Sequence, residues 1–260
     1  MIRNLAAVVT LAAAATQVSA EQSASDLAKQ LSNPVASLIS VPLQFNYDQN
    51  IGPNDKGHRT SVNIQPVMPV TLNADWNLIM RTVLPVISQD DVIPGRSQLG
   101  FGDTLQTFFI SPSRPGLIWG LGPAFLLPTG NDDLGLNQFG AGIEGVVLKQ
   151  AGPWTVGALG YYLWDVGGGS NATDIQQAYA QPFVSYTTAG GWTYTLNSET
   201  TYDVLTNQTS MPFNAVATKV TKLGKQPISI GGGVRYYAES TPNGPEGWGA
   251  RLILTFLFPK

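Results

Sequence analysis

The chain of 260 residues offers few side chains for catalysis: one histidine, His58, and no cysteine. His58 stands in a polar stretch beside Lys56 and Arg59, with no Ser or Asp arrangement whose spacing makes a triad. One histidine without cysteine falls short of the ligand set a zinc site takes. The adjacent acids Asp132 and Asp133 fall well short of the roughly 6–8 oxygens that calcium takes. Gly140-Ala141-Gly142-Ile143-Glu144-Gly145 spells G-x-G-x-x-G, yet it lies in a strand-like run and Gly152-Pro153 interrupts before a helix can form. The dinucleotide fingerprint must open a helix. Gly231-Gly232-Gly233 lacks the Lys-Ser/Thr that a phosphate loop needs. The expectation is a non-enzyme with no metal or cofactor, and a formal charge of -3 leaves no basic footprint for nucleic acid.

The chemistry that remains belongs to charged and aromatic side chains on alternating faces of strands. From Val41 onward the sequence period is two: Val41, Leu43, Phe45 and Tyr47 alternate with Pro42, Gln44, Asn46 and Asp48, and Val62 and Ile64 alternate with Ser61, Asn63 and Gln65. This reading places strands near 39–48, 60–72, 76–87, 99–110, 117–128, 137–149, 154–166, 176–187, 192–203, 212–223, 227–238 and 248–258, about twelve in all. Tight connections around 73–75, 111–116, 150–153, 188–191 and 224–226 alternate with longer polar ones at 49–59, 88–98, 129–136, 167–175, 204–211 and 239–247. An even-stranded transmembrane antiparallel β-barrel with both strand termini on the periplasmic side requires that alternation; a soluble sandwich does not. Pro42, Pro66, Pro69, Pro85, Pro123 and Pro182 fall inside these strands, where each removes a ladder donor and calls for a bulge or kink.

Tryptophans fix the height. Trp76, Trp154 and Trp192 each follow a tight connection, and Trp154/Trp164, Trp192/Tyr202 and Trp248/Phe258 are ten residues apart, so each pair shares a face. At about 3.3 Å per residue and a tilt near 40°, ten residues climb roughly 25 Å, the height of the apolar band between the two aromatic girdles of an outer-membrane barrel. The low charged content, 12 % against roughly 25 % in soluble domains, then has a cause: Arg or Lys facing lipid at midplane costs about 2–4 kcal/mol.

If the tryptophan faces meet lipid, the opposite faces carry Arg81, Arg235 and Arg251 with Glu144, Asp165 and Glu199, and also Gln106, Phe108, Tyr161, Tyr179, Phe183 and Tyr237. Such a set either braces the wall with ion pairs or forms a polar constriction. The aromatics suit a small apolar or aromatic solute, or fill the interior. About twelve strands lie between the filled eight-stranded barrel and the open sixteen-stranded one, so the expected pore is narrow.

Ahead of the barrel (38–260), residues 1–20 read as a cleaved secretory signal: Arg3, an apolar stretch Leu5 to Ala15, then Val18-Ser19-Ala20. Residues 21–37 carry a helical stripe, Leu27, Leu31, Val35 and Leu38, capped at Ser25-Asp26 and ending near Asn33-Pro34. This short helical segment is either a periplasmic lead-in or a plug. The last strand, Trp248 to Phe258, alternates apolar residues and ends on an aromatic, as outer-membrane barrels do, although there the aromatic is usually the very last residue and here Pro259 and Lys260 follow.

The stretches Leu31-Ser32-Asn33-Pro34-Val35-Ala36-Ser37-Leu38-Ile39-Ser40-Val41-Pro42-Leu43-Gln44, Asn63-Ile64-Gln65-Pro66-Val67, Trp76-Asn77-Leu78-Ile79 and Gly233-Val234-Arg235-Tyr236-Tyr237 resemble the outer-membrane family known under the MetA pathway of phenol degradation, transporter-like barrels sometimes carried under the name of the peptide neuromedin U. The resemblance covers the expected mature chain and implies an outer-membrane barrel that passes small, hydrophobic or aromatic molecules. The partners so implied are outer-membrane lipid and a small solute, and the sequence does not fix an oligomeric state. A structural or adhesion barrel with a closed lumen and working loops is the alternative.

Overall fold

The computed structural model describes residues 23–259 except 115, 132, 170 and 171; the expected signal segment 1–20 and Asp132 lie outside the described residues. One antiparallel sheet of fifteen hydrogen-bonded segments closes on itself. Three pairs of segments are halves of one interrupted strand, which leaves a twelve-stranded barrel. In chain order these are β1 (Ile39–Ile51), β2 (Gly57–Ile64 with Val67–Thr71), β3 (Trp76–Asp90), β4 (Ser97–Phe101 with Thr104–Pro112), β5 (Ile118–Leu127) and β6 (Gln138–Ala151). Then follow β7 (Trp154–Gly168), β8 (Gln176–Thr187), β9 (Trp192–Ser198 with Thr200–Asp203), β10 (Gln208–Leu223), β11 (Gln226–Glu239) and β12 (Gly247–Phe258). Each strand pairs with its sequence neighbours, and β1 closes the barrel on β12 from Ile39↔Phe258 to Tyr47↔Ala250.

Prolines sit at all three interruptions. β2 breaks at Gln65-Pro66, where Gln65 N donates to the Pro42 carbonyl at 2.9 Å and Thr82 N to that of Pro66 at 3.1 Å. β4 breaks beside Pro85, whose carbonyl accepts from Gly102 N at 2.9 Å, and β9 breaks at Glu199, whose N donates to the Pro212 carbonyl at 3.0 Å. A proline cannot donate to a ladder, so the partner strand loses its regular exchange at that point.

The connections are less unequal than the polarity of the sequence suggests. Strands run on into the polar segments, leaving loops of 52–56, 91–96, 128–137, 169–175, 204–207 and 240–246 against turns of 72–75, 113–117, 152–153, 188–191 and 224–225. Polar residues here mark the ladder above the lipid band rather than the end of the strand. The loop end carries the left-handed residues Asn50, Asp55, Asp91, Asp133, Asn137, Asn207 and Asn243, side chains that tolerate positive φ.

The tryptophan pairs face outward, with Trp154, Trp164, Trp192, Tyr202, Trp248 and Phe258 all exposed. At the turn end Trp76 meets Trp119 edge-on at 6.0 Å and Trp154 meets Tyr186 at 4.9 Å; at the loop end Tyr236 meets Trp248 at 5.0 Å.

Inside the turn end lies the N-terminal segment. Helix α1 (Ala24–Leu31) is capped by Ser23, two residues ahead of the expected cap, its hydroxyl accepting from Asp26 N at 3.1 Å. Leu27 and Ala28 pack with Ala36 and Leu38 on the inward Val220 and Leu257. Past the helix, Val35 enters a second cluster on the far wall with Ile79, Phe109, Val146, Leu148 and Leu159. The segment therefore crosses the lumen from the β10/β12 wall to the β3–β7 wall. Gln150 Nε2 adds a bond to the Lys29 carbonyl at 2.9 Å, and Gly191, at φ +76°, leaves no room for a side chain against Ala24.

Candidate functional site

Polar inward positions above this segment gather into two ion-pair clusters on opposite arcs of the wall. On one, Arg81 (β3) meets Glu144 (β6) at 3.0 Å, and Thr107 (β4) donates a short hydrogen bond to the other Glu144 oxygen. Glu144 is fully buried. On the other arc Arg251 (β12) grips Glu199 (β9) through both terminal nitrogens, at 2.7 and 2.8 Å, and its Nε donates to Asn46 (β1) at 2.8 Å. Arg235 (β11) lies 3.8 Å from Glu199 and 3.5 Å from Asp48 (β1), donates to the Tyr237 hydroxyl at 2.9 Å and stacks its guanidinium 5.3 Å from that ring. Towards the loops Arg59 (β2) donates to Gln89 (β3) at 2.8 Å.

Between the arcs the barrel is not filled. One hollow of about 240 Å³ is lined by Gln44, Asn63, Gln65, Arg81, Tyr161, Tyr179, Gln181 and Glu199, with Val83 and Leu105. A second of about 250 Å³ is floored by Ala28, Leu31, Ser32 and Pro34 of the N-terminal segment and walled by Phe183, Asn197, Arg251 and further small polar residues. Gln44, Gln65, Gln181 and Glu199 line both. The Tyr161 and Tyr179 rings stack at 4.8 Å and 13°, and the Tyr179 hydroxyl donates to Gln181 at 3.0 Å. Side chains that offer both hydrogen-bond signs beside flat aromatic faces can hold a small molecule in orientation without covalent chemistry.

Of the residues expected on the lumen face, Arg81, Glu144, Tyr161, Tyr179, Phe183, Glu199, Arg235, Tyr237 and Arg251 are there. Gln106 and Phe108 are not. Their register partners Thr82 and Met80 stand on the outer face, Gln106 accepting from Thr82 at 2.6 Å and Phe108 packing edge-on to Phe125 at 6.3 Å. Their neighbours Leu105, Thr107 and Phe109 point in: Phe109 packs in the cluster that receives Val35, Thr107 meets Glu144, and Leu105 packs against Ala124, Leu163 and Ile175. Asp165 has inward parity but stands exposed at the loop rim, where its carboxylate accepts from Ile175 N at 3.3 Å. Asn46, Asp48, Gln44, Gln65, Thr107 and Gln181 complete the site, beyond the residues the sequence pattern points to. The alternation Gln44, Asn46, Asp48 on β1 was the available signal.

The remaining sequence features have structural roles. His58 faces Asp90 at 3.4 Å near the loop end, and Asp133 pairs with Arg96 at 2.7 Å. The run Gly140–Gly145 is strand, and a Cβ on Gly142 would run into the Tyr162 carbonyl of β7.

No family model matches the sequence, and no curated protein matches it. Solved structures do: an outer-membrane channel from Pseudomonas putida F1 superposes with a TM-score of 0.66 at 17 % identity, covering 85 % of this chain and 96 % of that one. This chain has the fold of an outer-membrane β-barrel. Outer-membrane phospholipase A from Escherichia coli also aligns, over 85 % of this chain and 90 % of its own, at a TM-score of 0.49 and 9 % identity, a distance at which no activity is inferred. The barrel's chemistry rests on its own lumen.

Proposed function

We propose that the barrel is an outer-membrane channel for passive passage of small molecules with an apolar or aromatic body and hydrogen-bonding substituents. The observation that carries this reading is the pair of hollows sharing Gln44, Gln65, Gln181 and Glu199, space left open where a structural barrel of this size would pack side chains. The stacked Tyr161 and Tyr179 favour a flat solute, and the amides and ion pairs favour one that carries donors and acceptors. The resemblance to the phenol-degradation family supports the same solute class. Residues 23–37 act as a stopper held by side-chain contacts, so passage requires the segment to shift or leave.

That segment also favours a second reading, a barrel whose lumen stays shut and whose loops do the work. Liposome swelling separates the two. With the influx into protein-free liposomes subtracted for each solute, the channel reading expects phenol-sized aromatics to enter proteoliposomes faster than sugars of equal mass; equal barrel-dependent rates would remove the aromatic preference, and no influx of any solute above the protein-free rate would favour the closed barrel.

A further inference from the structure

The outward face of β10 reads Phe213, Ala215, Ala217, Lys219, and its partners on β11 are Tyr236, Val234, Gly232 and Ile230. Small residues thus occupy the middle of a wall whose flank on β9 is Leu196, Tyr194 and Trp192. The result is a trench: two adjoining hollows of about 580 and 640 Å³ share Val184, Leu196, Ala215 and Val234. Its sides are stiffened by ring contacts, Trp192 on Tyr194 at 6.3 Å and Tyr236 on Trp248 at 5.0 Å. At the turn end of the trench the Lys219 ammonium stands 5.3 Å over the Trp192 ring, and among the described residues no carboxylate pairs with it.

We propose that this trench binds one phospholipid, with its phosphate on Lys219 and one acyl chain lying over Ala217, Gly232 and Ala215. The proposal rests on the membrane reading but not on conduction. In a bilayer an unfilled apolar hollow forfeits the dispersion contacts of its lining, and an acyl chain is the group at hand to supply them. Trp192 marks the headgroup level on this side, where aromatic rings gather and lysines reach out to the interface. There the anion that meets an unpaired ammonium is the phosphate diester. The lengths agree: from Lys219 to Phe213 the strand climbs about 15 Å at 3.3 Å per residue and a tilt near 40°, one leaflet of a ~30 Å hydrocarbon core.

Native mass spectrometry of the full chain in mild detergent tests this, with dioleoyl phosphatidylglycerol and dioleoylglycerol, the same chains without phosphate, as probes. The wild-type barrel should retain one phosphatidylglycerol, favoured over the diacylglycerol by about fivefold. Lys219→Gln should bring the two probes level, and Ala215→Leu with Ala217→Leu, which fills the trench, should lose both. Retention of phosphatidylglycerol unchanged by Lys219→Gln would overturn the phosphate contact. Equal retention by the filled trench, or a barrel dimer that disappears when the trench is filled, would overturn the lipid as occupant. Resistance of each variant to unfolding in cold detergent on gels confirms that it is folded, so Lys219→Gln decides alone if the double variant is not. Failure of the wild-type chain to insert into any bilayer would instead strike the membrane reading.

Discussion

Arg251 on β12 and Glu199 on β9 form a two-point ion pair, at 2.7 and 2.8 Å, that spans two intervening strands through the interior of the barrel. Glu199 stands where the β9 ladder is interrupted opposite Pro212, so a strand weakened in its backbone is tied by a side chain to a strand three places along the wall. The same carboxylate lines both hollows. Bracing and lining are therefore one residue's work.

Glu199→Gln leaves Arg251 and Arg235 buried without their shared anion, and breaking a buried pair from one side costs about 3–5 kcal/mol. The urea midpoint of the refolded barrel should fall accordingly. Glu199→Leu combined with Arg251→Met removes both charges and should cost less than Glu199→Gln alone. A double variant as unstable as the single one would mean that the pair holds the wall by shape rather than by charge.

Arg81→Ala isolates the fully buried Glu144, which keeps the Thr107 hydroxyl as its remaining donor. Destabilisation of about 3–5 kcal/mol is expected, and adding Glu144→Gln to Arg81→Ala should recover part of it. If the second substitution recovers nothing, the loss lies in packing rather than in the stranded charge.

Leu196 is 59 % exposed on the lipid face, whereas Asn197 faces in and accepts from Asn214 at 2.7 Å. Leu196→Arg should cost about 2–4 kcal/mol in folding into bilayers, with a much smaller effect for Asn197→Arg. Equal tolerance would invert the assignment of inside and outside.

Much of this was legible in the sequence because lipid imposes two strict rules, a period of two and a fixed height. The strand ends expected near 176–187 and 192–203 coincide with those observed, and Trp192 and Tyr202 mark the two ends of the band on the second, although that strand is interrupted at Glu199. The rule that polar residues face inward failed on β4. There Phe109 points in to meet Val35 and Leu105 to meet Ala124, Leu163 and Ile175, which turns Gln106 and Phe108 out. No local pattern on β4 reveals that a segment some seventy residues earlier packs against it. Asp165 failed for another reason: its parity is right, but the strand has already risen to the loop rim. Whether 21–37 led in or plugged was equally unreadable, because the stripe Leu27, Leu31, Val35, Leu38 needs an apolar partner without saying which.

The segment makes its own prediction. Leu27→Ala and Val35→Ala each remove contacts that hold it to opposite walls. A protease added at the turn end should cut the double variant within this segment faster than wild type, while barrel strands stay protected. Unchanged cleavage would mean that other contacts, such as Gln150 to the Lys29 carbonyl at 2.9 Å, dominate.

Planar-bilayer recording of the full chain beside a variant lacking residues 23–37 tests the central claim most directly. The channel account predicts small, infrequent current steps for the full chain and larger, sustained steps once the stopper is gone, reduced again by Gln181→Trp in the shared lining. Absence of current from both forms, with each inserted and folded, would contradict a conducting lumen.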